Sequence, residues 1–356
     1  MSRIFHAGFT AGQPPVRLRF GQGARHALAE DLAALGMRRA LILTTPEQAQ
    51  QGAQLAEQLG ALAVGQFAGA RMHTPVDVTE AAMAEVSRTG ADGVIAIGGG
   101  STIGLGKAIA YRTDLPQIVL PTTYAGSEAT AVLGQTENGV KSTLKDIRVQ
   151  PEVILYDPEL VATLPVAMTV TSGLNAMAHA VEALYAPDAT PLSSALAMEG
   201  LRAFVTGLPE VVRDPSDLAA REATLFGAWL CGTVLNQVGM ALHHKLCHTL
   251  GGALNLPHAE THAIILPHAA AYNDTPALKP LADLLGGPSA GSALYDFAKA
   301  LGAPRALSDL GVREGDLDRL ADLAAQAPYP NPREITRDGM RGLLQRAFDG
   351  QRPGGN

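Results

Sequence analysis

GVIAIGGGSTIGLGKAIAY, residues 93–111, is the stretch on which the fold turns. Gly93–Ile97 is a short run of small and β-branched apolar residues, the composition of a strand buried on both faces. It runs straight into Gly98-Gly99-Gly100-Ser101, and Thr102–Tyr111 then has helical character. Glycines at such a turn let backbone amides approach a pyrophosphate, and the start of the next helix adds free N–H groups and a positive dipole end. The pattern is not G-x-G-x-x-G, and the same residues also suit a plain tight turn. A second strand end, Leu120-Pro121-Thr122-Thr123-Tyr124-Ala125-Gly126-Ser127, brings hydroxyls and another glycine. Two converging loops at strand carboxyl ends suit a dinucleotide better than a lone phosphate.

Outward from this unit the same alternation continues. Strands are expected at Arg17–Phe20, after a Gln13-Pro14-Pro15 turn, and at Ala40–Thr44, Ala61–Phe67, Ile118–Pro121 and Val153–Tyr156. Helices are expected over His26–Leu35, through an Ala- and Gln-rich run ending near Gly60, and over Val76–Ser87. Strands and helices at this spacing imply a parallel sheet with right-handed crossovers. Glu137–Arg148 reads as a polar spacer. From about Pro165 onward Ala- and Leu-rich helical patterns dominate. The expected division is an α/β dinucleotide-binding domain over 1–160 and an all-α catalytic domain over 161–356, with a loose tail after Asp349. Ala40–Thr44 is followed by Thr45-Pro46, so no acidic residue stands where a ribose 2′-hydroxyl is usually held, and both NADH and NADPH are expected to be accepted.

Composition narrows the function classes. A net charge of −7 spread over 356 residues gives no electrostatic reason for nucleic acid or an anionic membrane as partner. Two cysteines, Cys231 and Cys247, form no disulfide framework, and MSRIFHAGFTAG has no signal-peptide pattern. No uncharged apolar run reaches membrane-spanning length, and a cytoplasmic location is expected.

The chemistry concentrates in LHHKLCHTLGGALNLPHAETHAIILPH, residues 242–268, which holds six of the ten histidines. His244 and His248 stand one helical turn apart, Gly251-Gly252 is expected to end or bend that helix, and a second segment delivers His258 and His262. Upstream, SGLNAMAHAVEALYA places Asn175 and His179 at i,i+4. A single helical histidine is ordinary, but six in one segment point to a site. Lys245 and Arg333 are the cations available to an anionic substrate, and each also reads as a solvated surface residue. Cys247 reads as a small apolar helix residue, and Glu260 either orients an imidazole or caps a helix.

These motifs together resemble the iron-containing, group III alcohol dehydrogenase superfamily. GGGSTIGLGKAIA (98–110), LPTTYAGSEAT (120–130), YDPEL (156–160), SGLNAMAHAVEALYA (172–186), the histidine segment through Asn273 and NPREIT (331–336) carry the resemblance over most of the chain. It implies a dehydroquinate synthase-like architecture, with the active site in a cleft between an α/β and a helical domain. Its metal-dependent members bind a divalent ion through an Asp and three His. Asn175 stands at the Asp position here, and His179, His244 and His258 stand at the three histidine positions. Gly104 is a second departure, because many members carry an acidic residue there.

The HHKLCH and PHAETHA forms are most similar to the maleylacetate reductase branch, whose members share the Asn175 replacement. A metal is therefore expected to be absent. The resemblance implies NAD(P)H-dependent reduction of the carbon–carbon double bond of a small dicarboxylate to a 3-oxo acid, by a homodimer. His244 and His248 are the expected groups for enolate stabilisation or protonation, with His243 and His258 next and His179 lining the pocket. Substrate contacts are expected from Lys245, Arg333, Tyr124 and Asn175. Cofactor contacts are expected from Gly98, Gly99, Gly100, Ser101, Thr102, Thr122, Thr123, Ser127, Thr44 and Lys145. The nearest rival is a metal-dependent NAD(P) alcohol or polyol dehydrogenase using Asn175 as a neutral ligand. A binding-only regulator would need no convergent histidines, and a sugar-phosphate cyclase or lyase would need a full metal set.

Overall fold

The computed structural model describes residues 16–137, 139–326 and 329–354. The Gln13-Pro14-Pro15 turn and the first residues of the chain lie outside them. A parallel sheet forms from β1 (Arg17–Phe20), β2 (Ala40–Leu43), β3 (Ala63–Phe67), β4 (Gly93–Gly98), β5 (Gln117–Pro121) and β8 (Val153–Tyr156), in the order β1-β8-β5-β4-β2-β3. β2, β4 and β8 are buried along their whole length, as their unbroken apolar composition requires, and so is β5, whose Gln117 amide donates to Val149 O. The chain runs outward from β2 to β3 and then returns to lay β4 beside β2. Strand order thus reverses at the carboxyl ends of β2 and β4, where a ligand crevice opens in such sheets.

The crossover helices α1 (Leu28–Ala34), α2 (Ala49–Leu59), α3 (Val76–Thr89) and α4 (Gly100–Thr113) cover the two faces. α4 is mostly buried, so its Gly-rich, small-residue sequence lets it press closely on the sheet.

Glu137–Arg148 corrects the spacer reading. β6 (Val132–Glu137) and β7 (Val140–Lys145) form an antiparallel hairpin, with Leu133 opposite Leu144. Polar residues dominate it because only one face packs, with Leu133 buried beside Ala108 and Val149.

After the short α5 (Pro158–Val161) the described residues are helical: α6 (Val166–Tyr185), α7 (Pro191–Arg213), α8 (Leu218–Gln237), α9 (Leu242–Leu254), α10 (His258–Tyr272), α11 (Lys279–Leu285), α12 (Ala290–Ala300), α13 (Leu317–Ala325) and α14 (Arg337–Phe348). α6 is the spine, buried from Thr169 to Ala183 and packed against α7, α8 and α10. α9 does not end at Gly251-Gly252. It continues to Leu254 and stops at Asn255 in the left-handed region. Two glycines cost a helix about 1 kcal/mol each and do not forbid it. The tail is docked as far as Pro353, which is buried, rather than loose: Tyr295 donates to Gly350 O, and Arg352 pairs with Asp296. No single helix among the described residues is long and apolar enough to cross a membrane.

The sheet-bearing half and the helical half interlock at two glycines. Gly126, in the loop after β5, has φ +79° and lies against Gly232 of α8, where a Cβ would meet Gly126 O at 2.2 Å. Both neighbours are backbone, so neither can turn aside. Gly232→Ala is expected to lower stability by about 1–3 kcal/mol in urea unfolding. Gly251→Ala, with nothing within 4 Å of its new methyl, should leave stability equal or raise it by up to about 1 kcal/mol.

Candidate active site

The crevice at the ends of β2 and β4 is lined as a phosphate cradle. Gly98 closes β4, and Gly99 and Gly100 lead into α4. A Cβ on Gly99 would meet the Thr123 side chain at about 2.9 Å, whereas one on Gly100 would enter open space. The second loop is tied to the first by Thr122 N–H donating to Gly98 O at 3.0 Å. Gln48, just beyond β2, donates to Thr122 Oγ1 at 2.8 Å. Thr102 Oγ1 and Ser127 Oγ are buried without a partner. Open space at Gly100, the start of a long helix and two unpaired hydroxyls fit a dinucleotide. Thr44 is buried at the end of β2, its hydroxyl accepting from Gln66. Glu47, the acid nearest this edge, folds back on its own backbone amide and the Thr45 hydroxyl, and these contacts hold it below the usual carboxylate range.

Lys107 fastens the loop after β5. Its ammonium donates to Ser127 O, Thr130 O, Thr130 Oγ1 and Val132 O at 2.6–3.0 Å. Burial pulls it down to about 7, against the opposing pull of buried Glu128. From the same loop Ala125 O meets His179 Nε2 at 3.2 Å. The cofactor loop is thus bonded directly to the histidine cluster.

Within that cluster α6 presents Asn175, His179 and Glu182 on one face, and α9 brings His243 and His244 against them. His179 Nδ1 lies 2.8 Å from His244 Nε2, and His244 Nδ1 lies 2.7 Å from Glu182 Oε2. Glu182 also accepts from Ala241 N–H, His243 N–H and Tyr185 O–H. Four donors saturate an acceptor-only carboxylate, so it is ionised. Burial pushes the Glu182 carboxyl up, but His244 and the two amides reverse the shift and leave it below its ordinary value.

Donor counting then assigns the protons. A carbonyl only accepts, so His179 Nε2 carries hydrogen and its Nδ1 is bare, since burial and the neighbouring rings hold His179 neutral. His244 Nε2 must donate to that bare nitrogen while its Nδ1 donates to Glu182. With all of these contacts made as hydrogen bonds, His244 carries hydrogen on both nitrogens and faces Glu182 as one side of a buried pair.

Other expected residues fall differently. His243 Nε2 faces His262 Nδ1 at 2.9 Å, behind His244. His258 is half-buried, its ring 4.2 Å from that of His262, and His248 is exposed, its ring 6.4 Å from that of His244. Lys245 is half-buried with Nζ over the Tyr329 ring, and Arg333 is exposed and stacked on Tyr272. Tyr124 is corrected: it is fully buried and its hydroxyl faces Arg221 in the core, so its neighbour's carbonyl makes the contact with the cluster. Lys145 ends β7 and donates to Asn236 O. Gly104 is pressed by Thr74, whose hydroxyl lies 2.3 Å from a Cβ built there, leaving no room for the acid that many relatives carry. Glu182, Gln48 and Lys107 went unread, although Glu182 sits at helical spacing from Asn175 and His179.

Asn175 Oδ1 is buried without a partner. Asn175, His179, His244 and His258 supply no anionic ligand, and His179 and His244 turn ring nitrogens to each other at hydrogen-bond distance. A dication held by this set would have to part the His179 and His244 rings and would meet three imidazoles and an amide with no anionic ligand.

A glycine-lined dinucleotide crevice whose loop bonds into a buried histidine cluster defines an NAD(P)-linked oxidoreductase. The family model for iron-containing alcohol dehydrogenase matches residues 15–158, and that for the C-terminal part of the same family matches 169–348. The chain belongs to the iron-containing alcohol dehydrogenase family. It is 58% identical to a maleylacetate reductase of Rhizobium sp. over 95% of this chain and 97% of that one. It is 52% identical to one from Burkholderia cepacia, over 95% and 97%. The crystal structure of maleylacetate reductase from Agrobacterium tumefaciens superposes with a TM-score of 0.95 at 56% identity, covering 98% of this chain and all of that one.

Gly100→Val is the clean probe of the cradle, because a Cβ at this position has nothing from the rest of the protein within 4 Å. Calorimetric titration should show NADH binding weakened at least about tenfold, or 1.4 kcal/mol, with the thermal midpoint unchanged. Unaltered binding in the folded variant would move the phosphates elsewhere.

Proposed function

We propose that this chain reduces the carbon–carbon double bond of maleylacetate to give 3-oxoadipate, with NADH or NADPH and without a resident metal ion. The observation that carries the reading is the Glu182–His244–His179 chain, in which His244 is bonded through both ring nitrogens and supports an imidazolium in the role that a divalent ion plays in metal-dependent relatives. The 58% identity to a maleylacetate reductase across nearly the whole chain supports the substrate. The Asn175 replacement supports the metal-free site.

A bound nicotinamide supplies hydride to the alkene carbon β to the ketone. Negative charge then gathers on the ketone oxygen, and the positive charge of His244, whose two N–H groups are held by Glu182 and His179, stabilises the enolate through space. His179 holds the His244 Nε2 side of the pair and is itself fixed by Ala125 O. His258 and His248 lie towards the mouth of the cluster, where they deliver the proton that completes reduction at the α carbon. His243 backs His244 through His262. Lys245 and Arg333 offer cations to the two substrate carboxylates, and the unpaired Asn175 amide gains a partner when substrate fills the pocket. Gly98 to Thr102, Thr122, Thr123, Ser127 and Thr44 hold the cofactor, with Lys145 at the edge of this half. Residues 1–160 thus serve the cofactor and 161–356 catalysis, in a cytoplasmic homodimer.

Loss of reduced-nicotinamide absorbance with maleylacetate, compared with simple aldehydes and ketones, tests the function. Turnover is expected with both cofactors, kcat/KM values lying within roughly two powers of ten, or about 3 kcal/mol. Preference for simple carbonyls, or inactivity with either cofactor, contradicts the reading.

Asn175→Asp tests the metal-free site. A carboxylate placed beside a dianionic substrate and a growing enolate should depress kcat at least about tenfold, and chelation should leave the unsubstituted enzyme active. A metal-dependent gain in the variant, with loss of the parent activity on chelation, would favour a metal-dependent alcohol dehydrogenase instead.

A further inference from the structure

Beneath the catalytic pair, α9 and α10 bring together three donors of another kind. His243 and Cys247 share a face of α9 at i,i+4, and His262 projects from α10. His243 Nε2 lies 2.9 Å from His262 Nδ1 and 3.7 Å from Cys247 Sγ. The three ligand atoms lie within 4.8 Å of one another, on side chains that are all buried. A tetrahedral zinc-type centre, with metal–nitrogen bonds of about 2.0–2.1 Å and a metal–sulfur bond of about 2.3 Å, spaces two nitrogens by about 3.3 Å and nitrogen from sulfur by about 3.6 Å. The sulfur is already at ligand spacing from His243 Nε2 and within 4.8 Å of His262 Nδ1. The two rings need to part by only a few tenths of an ångström.

Protons and charge also fit. The outer nitrogens, His243 Nδ1 and His262 Nε2, are buried without partners. In the hydrogen-bonded state one ring carries its proton on an inner nitrogen, leaving that ring's outer nitrogen bare. When a cation enters, that proton moves to the bare outer nitrogen, both inner nitrogens offer lone pairs, and the thiol releases one proton. The thiolate so formed supplies one negative charge to the dication, whose binding must overcome the burial and the Glu182 charge that otherwise hold the Cys247 thiol well above its ordinary range. One sulfur and two imidazoles select thiophilic ions such as Zn²⁺, Cd²⁺ or Cu⁺ over Mg²⁺ or Ca²⁺.

We propose that His243, Cys247 and His262 form an inhibitory site for a thiophilic metal ion, separate from the Asn175, His179, His244 and His258 set. The inhibition rests on the function proposed above: the His243 and His262 rings lie 5.2 and 5.3 Å from the His244 ring, so an ion bound between them sits directly behind the ring that the proposed reaction uses. Buried donors make loading slow, and inhibition develops with time.

Titration of the chelator-treated protein with Cd²⁺, followed by the ultraviolet thiolate-to-metal absorption band, separates the binding claim from the functional one. The band should saturate at one equivalent in the parent and in Cys231→Ser, vanish in Cys247→Ser and Cys247→Ala, and need at least tenfold more Cd²⁺ in His262→Gln. Cys247→Ser should retain maleylacetate reduction and resist Cd²⁺. No saturable band, a band undiminished in both Cys247 variants, or binding without a sulfur band would overturn the site. Failure of the parent to reduce maleylacetate would leave the absorption readout intact and count only against the function.

Discussion

One buried carboxylate organises this molecule. Glu182 projects from the spine helix α6 and takes the first amides of α9, so an anion sits at a helix start where its dipole is positive. The same carboxylate fixes one nitrogen of His244, whose other nitrogen fixes His179, whose far nitrogen meets the loop after β5. Fold and site are therefore one network. Removing the charge at its head would leave Ala241, His243, His244 and Tyr185 with donors facing a weakened acceptor in a dry interior, where unpaired groups cost about 1–3 kcal/mol each.

Electrostatics explains why the substitution at Asn175 accompanies such a network. Relatives that hold a dication balance it with an anionic ligand. In the metal-free mechanism the positive element is a single proton on His244, already balanced by Glu182. A second carboxylate would make the pocket net negative before substrate arrives. Two unit charges 4 Å apart interact by about 4 kcal/mol at the effective dielectric of such sites, enough to decide whether a dianion binds.

Much of the fold was legible because buried parallel strands are written in continuous apolar runs: β2 and β8 fall on the Ala40–Thr44 and Val153–Tyr156 runs. The β6–β7 hairpin escaped because half of its residues face outward and its composition is polar. The helix stop at Gly251-Gly252 failed because glycine permits a break without requiring one. In the site, histidine is rare enough to announce itself, whereas Glu182 is a common residue whose importance shows only when α9 is laid across it. Tyr124 shows the converse: a motif places a residue near a site without saying which way its side chain points, and here backbone and side chain of adjacent residues serve different neighbours. Spacing put His248 on the face of His244, but the ring stands at the exposed end of that face.

Everything proposed for the chemistry depends on the protonation of His244, and nitrogen-15 NMR of selectively labelled histidine, assigned with His244→Gln, observes it directly. At neutral pH, in chelator-treated protein, both His244 ring nitrogens should give the shifts of an imidazolium while His179 shows one protonated and one bare nitrogen. Glu182→Gln should convert the His244 signals to those of a neutral ring. A neutral His244 in the parent protein, with its Nε2 bare, would contradict the metal-free mechanism and return that nitrogen to the role of a metal ligand.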